Sequence, residues 1–344
     1  MLMIVGAGPM QLPAISIARE MGLQTLVTDY NPEAPGLAQA DISEIMSTKD
    51  IEGSVRVARH YRHQLKGVLT VGTDASLTVA AIAGALGLPG IHYDAAENAT
   101  HKLKMRRALQ KAGVPIPEFG SAWTIDEARE VADRIGYPVV VKPVDNMGSR
   151  GVVKVLGPSK VEDGFRHAIS ASTSGEVLVE EFMEGPELSI DALVVDGEII
   201  CTGIADRIIG LPPYFIELGH TIPSRMSDED TTRAVAAMSA AVKALQITNG
   251  AAKGDIKMTP DGPKIGECAA RLSGGWMSSH TYPYSAGYSM VRGAIEIALG
   301  REPQIPEPLR RVSVERALIA APERSHGSTD LRMRRRSLVF EMLF

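Results

Sequence analysis

The stretch VVVKPVDNMGSRGV, residues 139–152, ends an apolar β-branched run in a lysine and follows it with a glycine-containing loop. Val139, Val140 and Val141 read as a buried strand. A charge at the end of such a strand must reach water or meet a fixed opposite charge, because burying it alone is too costly. What Lys142 does there therefore decides what the sheet is for, and the flanking sequence has to supply the answer.

Upstream, TIDEAREVADRIGYP (124–138) reads as a helix with Thr124 and Glu127 at capping-box spacing and Gly136 then Pro138 as its stop. Before it, NATHKLKMRRALQKAGVPIP (98–117) predicts a helix capped by Asn98, with Leu103 and Leu109 on one side and Gly113 at its end. Downstream, VVKVL (152–156) is a hairpin partner, a helix is expected around 159–171, and residues 177–204 alternate strand and turn. This half is therefore antiparallel and mixed.

The first hundred residues have another rhythm. LMIV (2–5), TLVTD (25–29) and GVLTV (67–71) read as strands separated by amphipathic segments, which is a parallel βαβ pattern. Gly6 and Gly8 follow the first strand and Asp29 ends the second, as in a dinucleotide fingerprint, but Gln11 stands where a third glycine belongs. A lone GxG is a weak signal, and the reading favours a Rossmann-like lobe that keeps the turn for packing or another ligand. Thr73 and Asp74 lie at a further strand end, where such sheets bind ligands.

Composition narrows the partners. Thirty-six Lys and Arg against 41 Asp and Glu give a net charge of −5, and aromatics make up 5%, so a nucleic-acid partner is not expected. The basic run RMRRR (332–336) reads as a solvated tail. Cys201 and Cys268 have neither metal-ligand spacing nor a disulfide framework, which fits a reducing cytoplasm. No segment has the apolar length of a membrane span or the form of an export signal, so no membrane partner is expected.

GDIKMTPDGPKIGECAARLSGG (254–275) is a strand, a PDG turn and a second strand, hence a hairpin on which Asp255 and Glu267 can face each other. Two close carboxylates repel unless a cation lies between them, and Mg²⁺ takes oxygen ligands of this kind; solvated carboxylates on a sheet face are the alternative.

Taken together, Lys102, Lys142, DNMGSRG (145–151), VEEFMEGPE (179–187) and GDIKM…GECAAR resemble, in order and spacing, the ATP-grasp enzymes. That superfamily includes biotin carboxylase, carbamoyl phosphate synthetase and D-alanine:D-alanine ligase, and the resemblance covers roughly residues 1–300. DRIIGLPPYFIELGHTIPS (206–224) and RLSGG look most like the amino-acid ligase and carbamoyl-phosphate-synthetase-like branch. The implied fold is α/β: a Rossmann-like parallel-sheet lobe over 1–97, then an ATP-grasp fold of two mixed α+β lobes. The first of these spans 98–185, with a small lid at roughly 115–180, and the second, carrying the metal site, spans 186–303. The last segment, 304–344, is shorter than in many relatives of that branch, which suggests an incomplete or diverged tail.

The resemblance also assigns roles. Lys102 and Lys142 would reach ATP phosphates, and Ser149, Arg150 and Gly151 belong to the loop expected to close over them. Glu180, Glu181, Phe182 and Met183 would present backbone to the adenine edge, and Glu187 would accept from the ribose hydroxyls. Asp255 and Glu267 would hold Mg²⁺ or Mn²⁺, while Arg271 would meet the reacting carboxylate or acyl phosphate. Ala269 departs from the pattern, since many relatives place a metal-binding asparagine there. Glu217 and His220 are candidates for substrate contact or proton removal; His101 and Cys268 read as structural neighbours. The implied activity is an ADP-forming carboxylate–amine ligase on small molecules, which admits a homodimer. The alternatives are an enzyme of the biotin carboxylase or carboxyaminoimidazole ribonucleotide synthetase kind acting on bicarbonate, and a catalytically inactive nucleotide-binding protein.

Overall fold

A computed structural model of the chain describes residues 1–318. Its N-terminal part contains β1 (Leu2–Val5), α1 (Leu12–Glu20), β2 (Thr25–Asp29), β3 (Ile42–Ile45), α2 (Ile51–His60), β4 (Gly67–Leu69) and α3 (Ser76–Leu86). The strands form a parallel sheet in the order β3-β2-β1-β4. Alternation along β1 feeds two cores: Leu2 and Ile4 cluster with Ile15 of α1, and Met3 and Val5 with Ala58 of α2 and Ile82 of α3. Two expectations need correction. β4 stops at Leu69, and Val71 instead makes a single parallel bridge to Leu272. β3, sequence ISEI, was not expected; it is a half-exposed edge strand with no apolar run to announce it.

The glycine turn after β1 is packed from within. Gln11 is 4% exposed, and its amide nitrogen donates to the Val71 carbonyl, so its side chain fills the space beneath Gly6. Asp29 accepts from the Ala7 N–H at 2.8 Å, which holds the turn closed.

Next come α4 (Tyr93–Thr100) and α5 (Lys102–Lys111). Asn98 is not a helix cap: it lies inside α4, whose Ala95, Ala96 and Ala99 are buried. The chain turns extended at His101, whose Nδ1 faces the Lys104 N–H at 3.5 Å and begins α5. Leu103 and Leu109 are buried, and Gly113 carries the positive φ that ends the segment.

The second sheet is built from β5 (Phe119–Ala122), β6 (Val139–Pro143), β7 (Val153–Val155) and β8 (Val177–Glu181), antiparallel throughout in the order β5-β8-β6-β7. α6 (Ile125–Ile135) and α7 (Val161–Ile169) pack on it. Thr124 and Glu127 form the expected capping box. Val139 and Val141 are fully buried, each contributing roughly 1.5 to 3 kcal/mol of burial energy.

The third sheet is the largest: β9 (Glu187–Val195), β10 (Glu198–Gly210), β11 (Ile216–Ile222), β12 (Gly250–Thr259), β13 (Gly262–Ala269) and β14 (Ser313–Val314), in the order β13-β12-β9-β10-β11-β14. One face packs on α8 (Asp228–Ala244) through Leu188, Ile190 and Met238. On the other, Leu193 shares a cluster with Met290 and Ile295 of α9 (Met290–Ala298) and with Leu2 and Ile4, which fastens the first sheet to the third. No helix among the described residues is long and apolar enough to cross a membrane. The basic run 332–336 and the end of segment 304–344 lie outside the described residues.

Candidate active site

Lys142 at the end of β6 meets a fixed charge. Its Nζ lies 2.5 Å from Glu180 on the neighbouring β8, and the other oxygen of Glu180 accepts from Arg106 of α5 at 2.5 Å. Arg106 donates further to the carbonyls of Ile265 and Gly266 on β13, at 3.2 and 2.6 Å. Arg106 and Glu180 are 1% and 3% exposed, so this is a buried charge network joining the two later sheets. Burial works to raise the Glu180 carboxyl, but Arg106 and Lys142 outweigh it and hold it below its ordinary value. Burial also pulls the Lys142 ammonium down, with Glu180 opposing.

The loop after β6 is pinned at its base. Asp145 accepts from the Thr173 hydroxyl at 2.6 Å and from the N–H groups of Thr173 and Ser174 at 3.0 and 2.6 Å. Burial alone would raise its carboxyl, yet these bonds bring it to about 2. Lys102 donates to the Asn146 carbonyl at 2.5 Å, and the Ser149 hydroxyl to the Phe215 carbonyl at 2.6 Å, so the loop touches both α5 and the turn between β10 and β11.

The third sheet supplies most of the remaining charge, and strand register explains the pairs. Arg207 stands opposite Glu187 and His220, Asp255 opposite Glu267, and Lys257 opposite Glu187. Arg207 pairs with Glu187, with Glu217 at 2.8 Å and with Asp255 at 3.0 Å. Lys257 reaches Glu187 at 3.0 Å, and Lys253 pairs with Asp255. Burial would raise the Asp255 carboxyl, but Arg207 and Lys253 keep it low.

Glu267 differs. Among the described residues no protein group donates to its carboxylate, yet the charges of Lys102, Lys253, Lys142 and Arg271 overcome the effect of burial and hold it ionised. An ionised carboxylate without a protein partner, facing Asp255 across a hairpin, is a donor set that fits a hard divalent cation. Ala269 is buried opposite Lys253 and offers no further oxygen.

At the other end, Arg271 donates to Asp74 at 3.1 Å, and the buried Asp191 accepts from the Ser273 N–H and hydroxyl at 2.9 and 2.7 Å. Burial pushes the Asp191 carboxyl up to about 6 despite those bonds. His220 Nδ1 lies 2.7 Å from Glu315, while its Nε2 is buried without a hydrogen-bond partner among the described residues and lies 3.8 Å from Glu217. Gly275, at φ +62°, passes so close to Glu217 that a Cβ there would come within 2.7 Å of its oxygen.

Much of this charge surrounds one cleft of about 510 Å³. It gathers Lys102, Lys142, Ser149, Glu180, Glu181, Phe182, Met183, Glu187, Glu217, His220, Asp255, Glu267 and Arg271, residues the sequence had singled out from five separate stretches. Arg150 and Gly151 do not line it. Arg150 is exposed and donates to Asn146 at 3.1 Å, and Gly151 is buried against Ala171 and Pro143. At the end of β8, the Glu181 and Phe182 N–H groups are used by Glu118 and Pro138, whereas the Met183 N–H has no backbone partner among the described residues.

Sequence reasoning gave no role to Arg106, Arg207, Lys253, Lys257 or Asp191. A signal existed for two of them: Lys253 and Lys257 alternate with Asp255 along one strand, so all three share a face. Arg207 had none, because its three partners come from three other strands.

A family model for the ATP-grasp domain matches residues 99–275. The chain is similar to an uncharacterized protein of Sinorhizobium fredii, at 29% identity over 314 residues, covering 89% of this chain and 65% of the relative. It is also similar to the alanine–anticapsin ligase of Bacillus subtilis, at 28% over 286 residues, 75% of this chain and 59% of that protein. The solved structure of an L-amino acid ligase from Bacillus licheniformis aligns with a TM-score of 0.75 at 26% identity, covering 87% of this chain and 73% of that one. The chain thus spans between about a fifth and two thirds of the curated relatives it first matches.

Proposed function

The chain belongs to the ATP-grasp family, and from that premise we propose that it is an ATP-dependent ligase that activates a small carboxylate as an acyl phosphate and joins it to an amine. The observation that carries this reading is the cleft itself, where Lys102, Lys142 and Arg271 converge with the facing carboxylates Asp255 and Glu267. Further support comes from the similarity to two amino-acid ligases.

In this reading the chain divides as its sheets suggest. Residues 1–97 form the first lobe, 98–185 the lobe carrying the phosphate lysines and the loop, and 186–303 the lobe carrying the carboxylates. Met183 offers its N–H, without a backbone partner among the described residues, to an adenine edge, and Glu187, between Arg207 and Lys257, faces the ribose. Lys142, supported by Glu180, neutralises charge on the phosphates, and Lys102 does so from α5. Asp255 and Glu267 would hold Mg²⁺ or Mn²⁺, which supplies Lewis-acid stabilisation of the transferring phosphoryl group. A carboxylate oxygen held by Arg271 attacks the γ phosphorus, the bond to the β-phosphate oxygen breaks, and ADP leaves. The amine nitrogen then attacks the acyl carbon and expels phosphate, losing a proton to His220 Nε2 or Glu217, which lie 3.8 Å apart. Positioning and charge neutralisation do the catalysis, and no nucleophilic side chain is needed. We place this activity in the cytoplasm, with small molecules as its partners and a homodimer as its assembly.

The test is an assay of phosphate release with ATP, Mg²⁺ and a panel of single amino acids and amino-acid pairs. Release that requires both a carboxylate and an amine, with ADP formed in equal amount, is the expected result. Release with bicarbonate alone would move the reading to a carboxylating enzyme.

A further inference from the structure

Arg271 lines the same cleft as Glu267, and Asp191 is held by Ser273 two residues beyond the arginine. Among the described residues the Arg271 guanidinium bonds to Asp74, through Nη2 at 3.1 Å and Nε at 3.3 Å, and to the Leu272 carbonyl at 3.1 Å. Asp74 belongs to the N-terminal lobe, 197 residues away in the chain.

The turn that carries Asp74 is fixed to the backbone on both sides of Arg271. The Ser76 hydroxyl donates to the Ala270 carbonyl at 3.2 Å, and the Gly72 N–H donates to the Leu272 carbonyl at 3.3 Å. Val71 and Leu272 form a parallel bridge, and Gly72 approaches so closely that a Cβ there would meet the Gly274 Cα at 3.2 Å. Asp74 is therefore presented from a rigid platform. Arg271 lines the cleft with its side chain 10% exposed, and Asp74, 30% exposed, holds it from behind without lining the cleft itself.

We propose that Asp74 is a positioning residue: it holds Arg271 away from Glu267 and aims it at the carboxylate being activated, so that the N-terminal lobe takes part in substrate recognition. An arginine without that partner would turn to Glu267, cancelling the free carboxylate the cleft needs and leaving the substrate carboxylate without its clamp.

This inference rests on the ligase reading, and the experiment separates the two. Phosphate release is measured for wild type, Asp74→Asn and Asp74→Glu, varying an equimolar mixture of the twenty amino acids at fixed ATP and then ATP at fixed mixture; thermal melting is recorded alongside. The isosteric Asn keeps the shape but replaces a charged acceptor with a neutral one, so the half-saturating concentration of amino acids should rise about tenfold. Half-saturation by ATP and the melting temperature should not move, and Asp74→Glu should recover most of the loss. No release by wild type would remove the ligase reading itself. With wild type active, an unchanged amino-acid dependence in Asp74→Asn, or equal losses toward ATP and amino acids with a lowered melting temperature, would overturn the proposal.

Discussion

Lys142→Met lowers the rate of phosphate release by at least about a hundredfold, because a fixed positive charge aimed at developing phosphoryl charge is typically worth that much. The fold survives the change. Glu180 keeps Arg106 at 2.5 Å after the lysine is gone, so no buried carboxylate is left without a cation. The cost in stability is on the order of 1 kcal/mol, that of one lost hydrogen bond. Steady-state rates set beside a urea titration check both halves. A variant that keeps its rate while its urea midpoint collapses would make Lys142 a structural lysine.

The opposite partner gives the opposite outcome. Glu180→Ala leaves the buried Arg106 and the largely covered Lys142 with no carboxylate between them. Breaking a buried pair from one side costs about 3 to 5 kcal/mol, a large part of the margin of a typical domain. A large fall in the urea midpoint is expected, with activity lost because the protein is unfolded rather than because ATP is misplaced. The same network sets an acid limit. A carboxyl held below its ordinary value of 4.5 gives its full stabilisation above that pH and loses it as the pH falls through its native value. A midpoint for Glu180→Ala equal to that of wild type at neutral pH would contradict the assignment.

These two residues also show how much of the molecule could be read from the chain. The lysine closing an apolar run announced itself, because a charge at the end of Val139–Val141 demands an explanation. The hairpin from Gly254 to Ala269 was legible from its PDG turn, but the register of that turn alone would put Gly266 opposite Asp255; an irregularity between Asp255 and Ile256 shifts the pairing by one residue and brings Glu267 there. Local signals of this kind, like the capping box at Thr124, need only neighbours in sequence. Arg106 was hidden because its partners lie 74 and about 160 residues away. The same holds for Asp74, whose turn was recognised as a ligand edge but whose partner Arg271 could not be inferred from spacing. β3 escaped for another reason: half-exposed, it has no buried stripe. Asn98 was misread as a cap because capping chemistry by itself does not show where the preceding helix ends.

The claim that the γ phosphorus is attacked by a carboxylate oxygen is tested most directly with a carboxylate substrate labelled with oxygen-18. After turnover with ATP and an amine, one labelled oxygen should appear in the released inorganic phosphate, alongside ADP, since the acyl phosphate surrenders that oxygen when the amine displaces it. AMP and pyrophosphate among the products, or phosphate free of label while the coupled product forms, would contradict the acyl-phosphate mechanism.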